Sequence, residues 1–201
     1  MEIRRPAQDD PLQRFLALLQ RARATPGVVE PTAMTLATVG ADGRPSARVV
    51  LLKDADQDGL VFYTNLESRK GREALARPEV ALLFWWGPLE SQVRFEGRAE
   101  RVSDEEADAY FATRARGSQL GAWASAQSSP LASREELTAK LAEVTDKFEG
   151  MPVPRPPHWS GLRVKPLSVE FWKNRPDRLH ERELYTREKP GAPWSVQLLN
   201  P

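Results

Sequence analysis

Leu12, Phe15, Leu16 and Leu19 recur at helical spacing and give the start of the chain one apolar face. Asp10 is placed as N-cap, Pro11 as the first helical residue, and Thr25-Pro26-Gly27 as the stop. After Ala33 the period drops to two. Ala33 to Val39 and Ala47 to Leu52 read as strands around an Asp42-Gly43 hairpin turn, and Leu60 to Thr64 follows a turn at Asp56 to Gly59. Glu67 to Arg77 reads as a short helix that stops at Pro78. Val80 to Trp86 is so uniformly apolar that both its faces are expected to be covered. Gln92 to Arg101 alternates instead, with Gln92, Arg94, Glu96 and Arg98 opposite Val93, Phe95, Gly97 and Ala99.

Two capping boxes, Ser103 with Glu106 and Ser133 with Glu136, open two further helices. Leu137, Leu141, Val144 and Phe148 form a stripe on the second, expected in the core, and Gly150 is its C-cap. Met151 to Pro157 is a proline-rich connector, and strands return from Leu162 to Leu199. This order predicts an α+β fold, mainly antiparallel β, built on a barrel with peripheral helices.

Composition narrows the chemistry. The 201 residues fit one domain, 1–201, with 1–9 as a flexible tail, and 40% hydrophobic residues suffice for a core. Absence of cysteine removes disulfides, thiolate metal sites and a cysteine nucleophile, two histidines, His158 and His180, argue against a multi-His metal site, and no metal is expected. No apolar run approaches the roughly 20 residues that cross a bilayer, and Met1 to Asp10 lacks a leader, so a soluble cytoplasmic protein without a membrane partner is expected. A net charge of +1 offers no broad field for nucleic acid. Of the 29 basic residues 22 are Arg, whose planar fork grips phosphate, although a biased genome would give the same excess.

Four groups of residues could carry chemistry. Arg48 and Lys53 bracket the apolar Val49-Val50-Leu51-Leu52; in a regular strand their offset puts them on opposite faces, so a shared ligand needs a bulge, a twist or a second subunit. Arg69 and Lys70 follow Asn65-Leu66-Glu67-Ser68 into a helix N-terminus, where anions are favoured, though an exposed first turn fits equally. Tyr110 and Arg114 stand four apart on one helix, sharing a face, with Ser118 just past the Gly117 break; they make either a phosphate clamp or a core Tyr beside a surface Arg. Arg178, His180 and Arg182, if extended, point one way while Leu179 points back, and three cations on one face call for an anion or an electron-rich ligand. Trp172 could stack on a ring or fill the core, and Gln127-Ser128-Ser129 reads only as a polar turn.

In order and spacing these segments resemble the pyridoxamine 5'-phosphate oxidase family. The resemblance runs through Asp10-Pro11-Leu12, Pro31 to Met34, Arg48 to Lys53, Val61 to Leu66, Ser68-Arg69-Lys70, Ser118 to Trp123, Gln127-Ser128-Ser129, Glu170-Phe171-Trp172 and Arg178-Leu179-His180. It implies an FMN-binding split β-barrel and a homodimer with FMN at the subunit interface. Matching the cofactor positions are Arg48, Val49, Val50, Leu51, Leu52, Lys53, Tyr63, Thr64, Arg69, Lys70, Gln92, Gln127, Ser128, Trp172 and Arg182. Of these, Arg48, Arg69, Lys70 and Ser128 are expected near the flavin phosphate, and Gln92, Trp172 and Arg182 near the ring. Lys53, Tyr110, Arg114 and Ser118 match the clamp for the substrate phosphate, while Arg178, Leu179 and His180 match the segment that orients the substrate's pyridine, with Arg178 and His180 as the catalytic pair. The implied reaction takes a phosphorylated pyridine, pyridoxamine or pyridoxine 5'-phosphate, to pyridoxal 5'-phosphate, with dioxygen as acceptor and hydrogen peroxide as second product. Departures are the nine residues before Asp10, where relatives often carry an Arg-x-x-Tyr arm, Ala115 and Gly117 where Pro and Asp are common, and a C-terminal end without the usual Arg.

Overall fold

The computed structural model describes residues 10–201, together with the backbone of residues 5–6. The tail expected over 1–9 otherwise lies outside the described residues. Strand β1 (Arg5–Pro6) is followed by helix α1 (Pro11–Ala24), β2 (Ala33–Val39), β3 (Pro45–Leu51), β4 (Asp54–Asp56), β5 (Gly59–Asn65) and helix α2 (Arg69–Ala76). Next come β6 (Glu79–Trp86), β7 (Ser91–Arg101) and the helices α3 (Asp104–Thr113), α4 (Arg116–Ala124) and α5 (Arg134–Lys147). β8 (Trp159–Lys173), β9 (Glu181–Thr186) and β10 (Ser195–Leu198) complete the order.

All strand pairs are antiparallel, in the order β1-β10-β9-β8-β7-β6-β2-β3. β8 has two different neighbours on its other edge. Its first half pairs with β5, from Asn65↔Trp159 to Leu60↔Val164, and its second half with β9, from Ser168↔Thr186 to Lys173↔Glu181. The sheet divides there and curls. The amide of Lys53, just past β3, donates to the Val61 carbonyl on β5 (2.8 Å) and draws the far edge back toward the near one. A mainly antiparallel half-barrel with five helices results, the split-barrel class of fold.

Alternation fills its interior. Leu36, Leu60, Phe62, Leu82, Phe84, Val93, Phe95, Leu162, Val164 and Val169 are all inaccessible to solvent. Helix α1 closes one end with its apolar face: the Phe15 ring lies 4.9 Å from both Phe84 and Phe95, the latter edge-on. Burying such a ring contributes about 1.5–3 kcal/mol. The α1 cap forms as the sequence predicts, with the Asp10 carboxylate accepting the Leu12 amide at 2.7 Å.

Several expectations need correction. β6 is covered on one face only, for Trp85 is 56% exposed between buried Phe84 and Trp86; an apolar run in an antiparallel half-barrel still turns alternate residues outward. The α5 stripe is not core along its length: Phe148 is buried, but Leu137 and Leu141 are exposed because only the C-terminal end of α5 packs against α4 and the connector. Each predicted capping box is half made. Ser103 and Ser133 accept the Glu106 and Glu136 amides, but the Glu106 carboxylate accepts from Arg163 and that of Glu136 from the Ala132 amide and Lys140. The helix expected from Glu67 begins at Arg69, capped by the buried Ser68 hydroxyl, which accepts the Gly71 amide at 3.2 Å.

Gly97 sits at the one register shift between β7 and β8, where a Cβ would lie 2.2 Å from the Lys165 carbonyl oxygen. Both partners are backbone, so the strands must part to admit it. Gly97→Ala is expected to lower stability by about 1–3 kcal/mol, measurable as a lower urea midpoint with unchanged slope.

Candidate active site

A cleft of about 510 Å³ opens between β3, β5, the helix pair α3–α4 and the start of β8. Val49, Val50, Leu51 and Lys53 form one wall, Tyr63, Thr64 and Lys70 the floor, and Tyr110, Arg114, Ser118, Gln127 and Trp159 the other wall. Eleven of these twelve were singled out in the sequence; Trp159 was not. Asn65, Gly121, Ala122 and Ser125 also line it.

The local route to the clamp differs from the expected one. Helix α3 ends at Thr113, whose hydroxyl takes the Tyr110 carbonyl (2.7 Å), and Arg114 turns extended (φ −73°, ψ 146°). Arg114 therefore reaches the face of Tyr110 by leaving the helix, not through helical i, i+4 spacing. Helix α4 starts at Arg116, so Gly117 breaks nothing and Ser118 stands in the first turn of α4. The side-chain amide of Gln119 donates to the Phe111 carbonyl (3.0 Å) and fastens the two helices together.

Three rings stack along the cleft: Tyr63 on Tyr110 at 3.9 Å and 10°, with Trp159 5.3 Å from Tyr63. Burial pushes the Tyr63 phenol up to about 12 and also raises Tyr110, so both stay protonated donors near neutral pH. Arg114 lies over Trp159, and its buried Nη1 has no hydrogen-bond partner among the described residues. An arginine that lines a polar cleft with a donor left unpaired suits an oxyanion.

A second cationic group lies beside α2. Lys70 donates to the Gln127 side-chain oxygen at 2.7 Å and reaches the Ser68 hydroxyl at 3.3 Å. Burial, and then the nearby Arg48 charge, hold Lys70 below the usual lysine value. Arg48 does not line the cleft. Its guanidinium donates to the Leu36 carbonyl (3.1 Å), the Thr38 hydroxyl (2.6 Å), the Ser46 hydroxyl and Glu73 (3.3 Å). Glu73 also accepts from Arg69 Nε at 2.8 Å, so one nearly buried carboxylate holds both arginines. Leu52 is buried in the barrel core, and β3 ends at Leu51, which leaves Lys53 free of the strand alternation expected for it. Ser128 is exposed in a left-handed turn (φ 72°) next to Gln127.

The remaining candidates gather elsewhere. Gln92, Trp172 and Arg182 face one another across β7, β8 and β9, and His180 packs 4.6 Å from Trp172. Arg182 Nε donates to buried Glu170 at 2.7 Å, which Arg94 grips from the other side at 2.7 Å. The expected common extended face of Arg178, His180 and Arg182 is absent. Asp177 and Arg178 are left-handed (φ 56° and 62°), and β9 begins only at Glu181. The Arg175 amide donates to His180 Nδ1 (3.3 Å) and the Arg175–Glu181 pair clips the loop, which leaves Arg178 and Leu179 exposed at its tip. Gln92 and Trp172 line a separate hollow of about 360 Å³ that shares no residue with the cleft. Trp159 and Trp172 open and nearly close β8, roughly 40 Å of strand apart. The two sets of residues line different hollows of the chain.

Fold and site together define a split-barrel protein with a cation-lined cleft and a separate aromatic hollow. Comparison with known proteins makes the class specific. Residues 21–148 match the family described as pyridoxamine 5'-phosphate oxidase, and residues 159–201 the pyridoxine 5'-phosphate oxidase C-terminal dimerisation region. The chain belongs to the pyridoxamine 5'-phosphate oxidase family. It is 64% identical over 192 residues to a pyridoxine/pyridoxamine 5'-phosphate oxidase of Myxococcus xanthus, covering 96% of this chain and 92% of that one. A protein of the same name from Rubrobacter xylanophilus is 59% identical, over 97% of this chain and 88% of the relative. Among solved structures, PhzG from Burkholderia lata in complex with tetrahydrophenazine-1-carboxylic acid superposes with a TM-score of 0.85 at 36% identity, covering 95% and 91% of the two chains. A related FMN-binding protein of Nostoc punctiforme gives 0.74 at 21% identity, over 96% and 99%, which speaks for the fold alone.

The depressed Lys70 gives the site a pH signature. A bound anion favours the charged lysine, so anion affinity is full below the Lys70 value and falls as pH rises through it, before the ordinary 10.5 is reached. Inorganic phosphate affinity measured by calorimetry is expected to decline in that window, and Lys70→Arg to flatten the decline. An unchanged profile in the variant would remove Lys70 from the anion site.

Proposed function

We propose that the protein is an FMN-dependent oxidase that converts pyridoxamine 5'-phosphate or pyridoxine 5'-phosphate to pyridoxal 5'-phosphate. The observation that carries this reading is the unpartnered Nη1 of Arg114, buried beside Tyr110 and Ser118 in a cleft that Lys53 also lines. Relatives at 59–64% identity bearing that activity as their name support it.

FMN suits the residues present. Arg48, Arg69 and Lys70 put three cations against the single carboxylate of Glu73, a surplus that a cofactor phosphate would balance. Gln127 would follow Lys70 to that phosphate, and Gln92, Trp172 and Arg182 would frame the ring. When bound, FMN would accept a hydride from the substrate and pass the electrons to dioxygen, releasing hydrogen peroxide; with the amine substrate, water would then displace the nitrogen as ammonia. The chain's own part is alignment. Lys53, Tyr110, Arg114 and Ser118 would hold the substrate phosphate, so that the carbon to be oxidised is fixed at one height in the cleft. Arg178 would cover the pyridine and favour negative charge developing on its ring oxygen, and His180, braced on Trp172, would orient the substrate.

Both half-sites are needed, and roughly 40 Å of strand separates them. We infer a homodimer in which the cleft of one chain meets the Gln92–Trp172–Arg182 row of the other, and the match to a dimerisation region supports this. The likeness to PhzG favours a second reading, an oxidase for a carboxylate-bearing ring system, since a carboxylate would also answer Arg114.

Anaerobic addition of pyridoxine 5'-phosphate to the FMN-loaded protein is expected to bleach the yellow flavin band, with recovery in air and formation of pyridoxal phosphate. A band that stays yellow with both phosphorylated substrates, but bleaches with a phenazine-type acid, selects the second reading. Inertness to all three describes a silent flavoprotein. Arg178→Ala is expected to keep FMN and lose most turnover. Mixing Arg114→Ala with Arg178→Ala subunits should restore about a quarter of wild-type activity, since half of randomly paired dimers are hybrids with one intact site. No recovery would put both arginines in the same chain's site.

A further inference from the structure

We propose that Trp159 is the positioning residue for Arg114, an aromatic platform that aims the guanidinium at the substrate phosphate; the role rests on the reading of the cleft just given. Most other partly buried arginines are held by carboxylates, Arg14 by Glu183, Arg155 by Asp104 and Asp108, Arg163 by Asp56 and Glu106, Arg182 by Glu170, while Arg187, set over Trp194, donates to the Pro166 carbonyl. Among the described residues Arg114 has no such partner. Its Cζ lies 4.7 Å from the Trp159 ring centroid, with Phe111 farther away at 5.5 Å.

The difference has a chemical point. A carboxylate would neutralise the guanidinium and occupy its N–H groups, whereas a ring face attracts the cation and leaves the donors in its plane free. The platform is itself fixed. Trp159 is 6% exposed, pairs with Asn65 in the β5–β8 ladder, and accepts Arg155 Nη1 on its carbonyl at 2.8 Å. Its ring is within 10° of parallel to Tyr63 and within 1° of Tyr110. The ring that aims Arg114 is thus in register with the clamp tyrosine. An ammonium would also be drawn to the ring but lacks the planar fork, so arginine is the cation that can rest on this platform and still grip a multi-oxygen anion through paired donors.

The test compares Trp159→Leu, Trp159→Phe and, as a packing control from the same apolar cluster, Phe111→Leu, all as FMN-loaded protein. Turnover is measured with pyridoxine 5'-phosphate and with phosphate-free pyridoxine, and inorganic phosphate binding by calorimetry. Trp159→Leu should raise KM for the phosphorylated substrate and weaken inorganic phosphate by roughly tenfold each. The kcat at saturation and kcat/KM for pyridoxine should stay within about twofold, and Trp159→Phe should fall between. Equal losses with both substrates, or Phe111→Leu as harmful as Trp159→Leu, would reduce Trp159 to a packing role and overturn the proposal, as would unchanged phosphate affinity. Should Trp159→Leu fail to fold, Trp159→Phe decides by the same comparison. A wild type that binds inorganic phosphate but oxidises neither substrate ends the oxidase reading and leaves the phosphate arm to judge Trp159. If the wild type binds no phosphate, both fall.

Discussion

Strand β8 imposes the constraint on which the remaining structure depends. It is the one strand bonded along its length to β7 while its other edge is shared between β5 and β9. That sharing splits the barrel. It also separates two groups of candidate residues, because Trp159 at its start belongs to the cleft and Trp172 near its end to the row with Gln92 and Arg182. Close backbone contact holds β8 in place, and Gly59 and Gly97 are the residues that allow it, each with β8 backbone where a side chain would begin.

Around that frame, carboxylates are distributed unevenly. Glu73 and Glu170 are both nearly buried, and each neutralises two arginines. Such pairs return little net stability over an apolar alternative, yet removing either partner strands a charge. They are better understood as fixing guanidinium positions in the folded chain. In the cleft the pattern reverses: among the described residues Arg114 and Lys70 are desolvated cations without a carboxylate, and their depressed pKa values record that cost. The fold tolerates the deficit because the barrel core carries the stability.

Most of the fold was legible in the sequence. Alternation in β2, β3 and β7 and the Asp10 and Ser103 caps are local signals, and the structure follows them closely. What failed depended on the neighbours of a residue. Trp85 and Leu141 look buried from pattern alone and are exposed because the described residues leave Leu141 open and cover Trp85 only where Trp172 meets it. Arg114 looks helical and is not, since the Thr113 hydroxyl takes a carbonyl that the helix would otherwise have used. Of the candidate site, Lys53, Lys70 and Arg114 line one cleft, and the row around Trp172 lies apart from them. Trp159 escaped notice because a Trp after a proline-rich connector carries no signal until the cation above it is seen. Glu73 and Glu170 escaped for the same reason: a buried carboxylate reads like any other Glu.

Putting two halves of one site at opposite ends of a strand has a consequence for dosage. On the dimeric reading the number of working sites rises with the square of the amount of chain when copies are scarce, and linearly once they are paired. Capacity then has a threshold. Below it, newly made chains are folded yet idle; above it, each added copy counts in full.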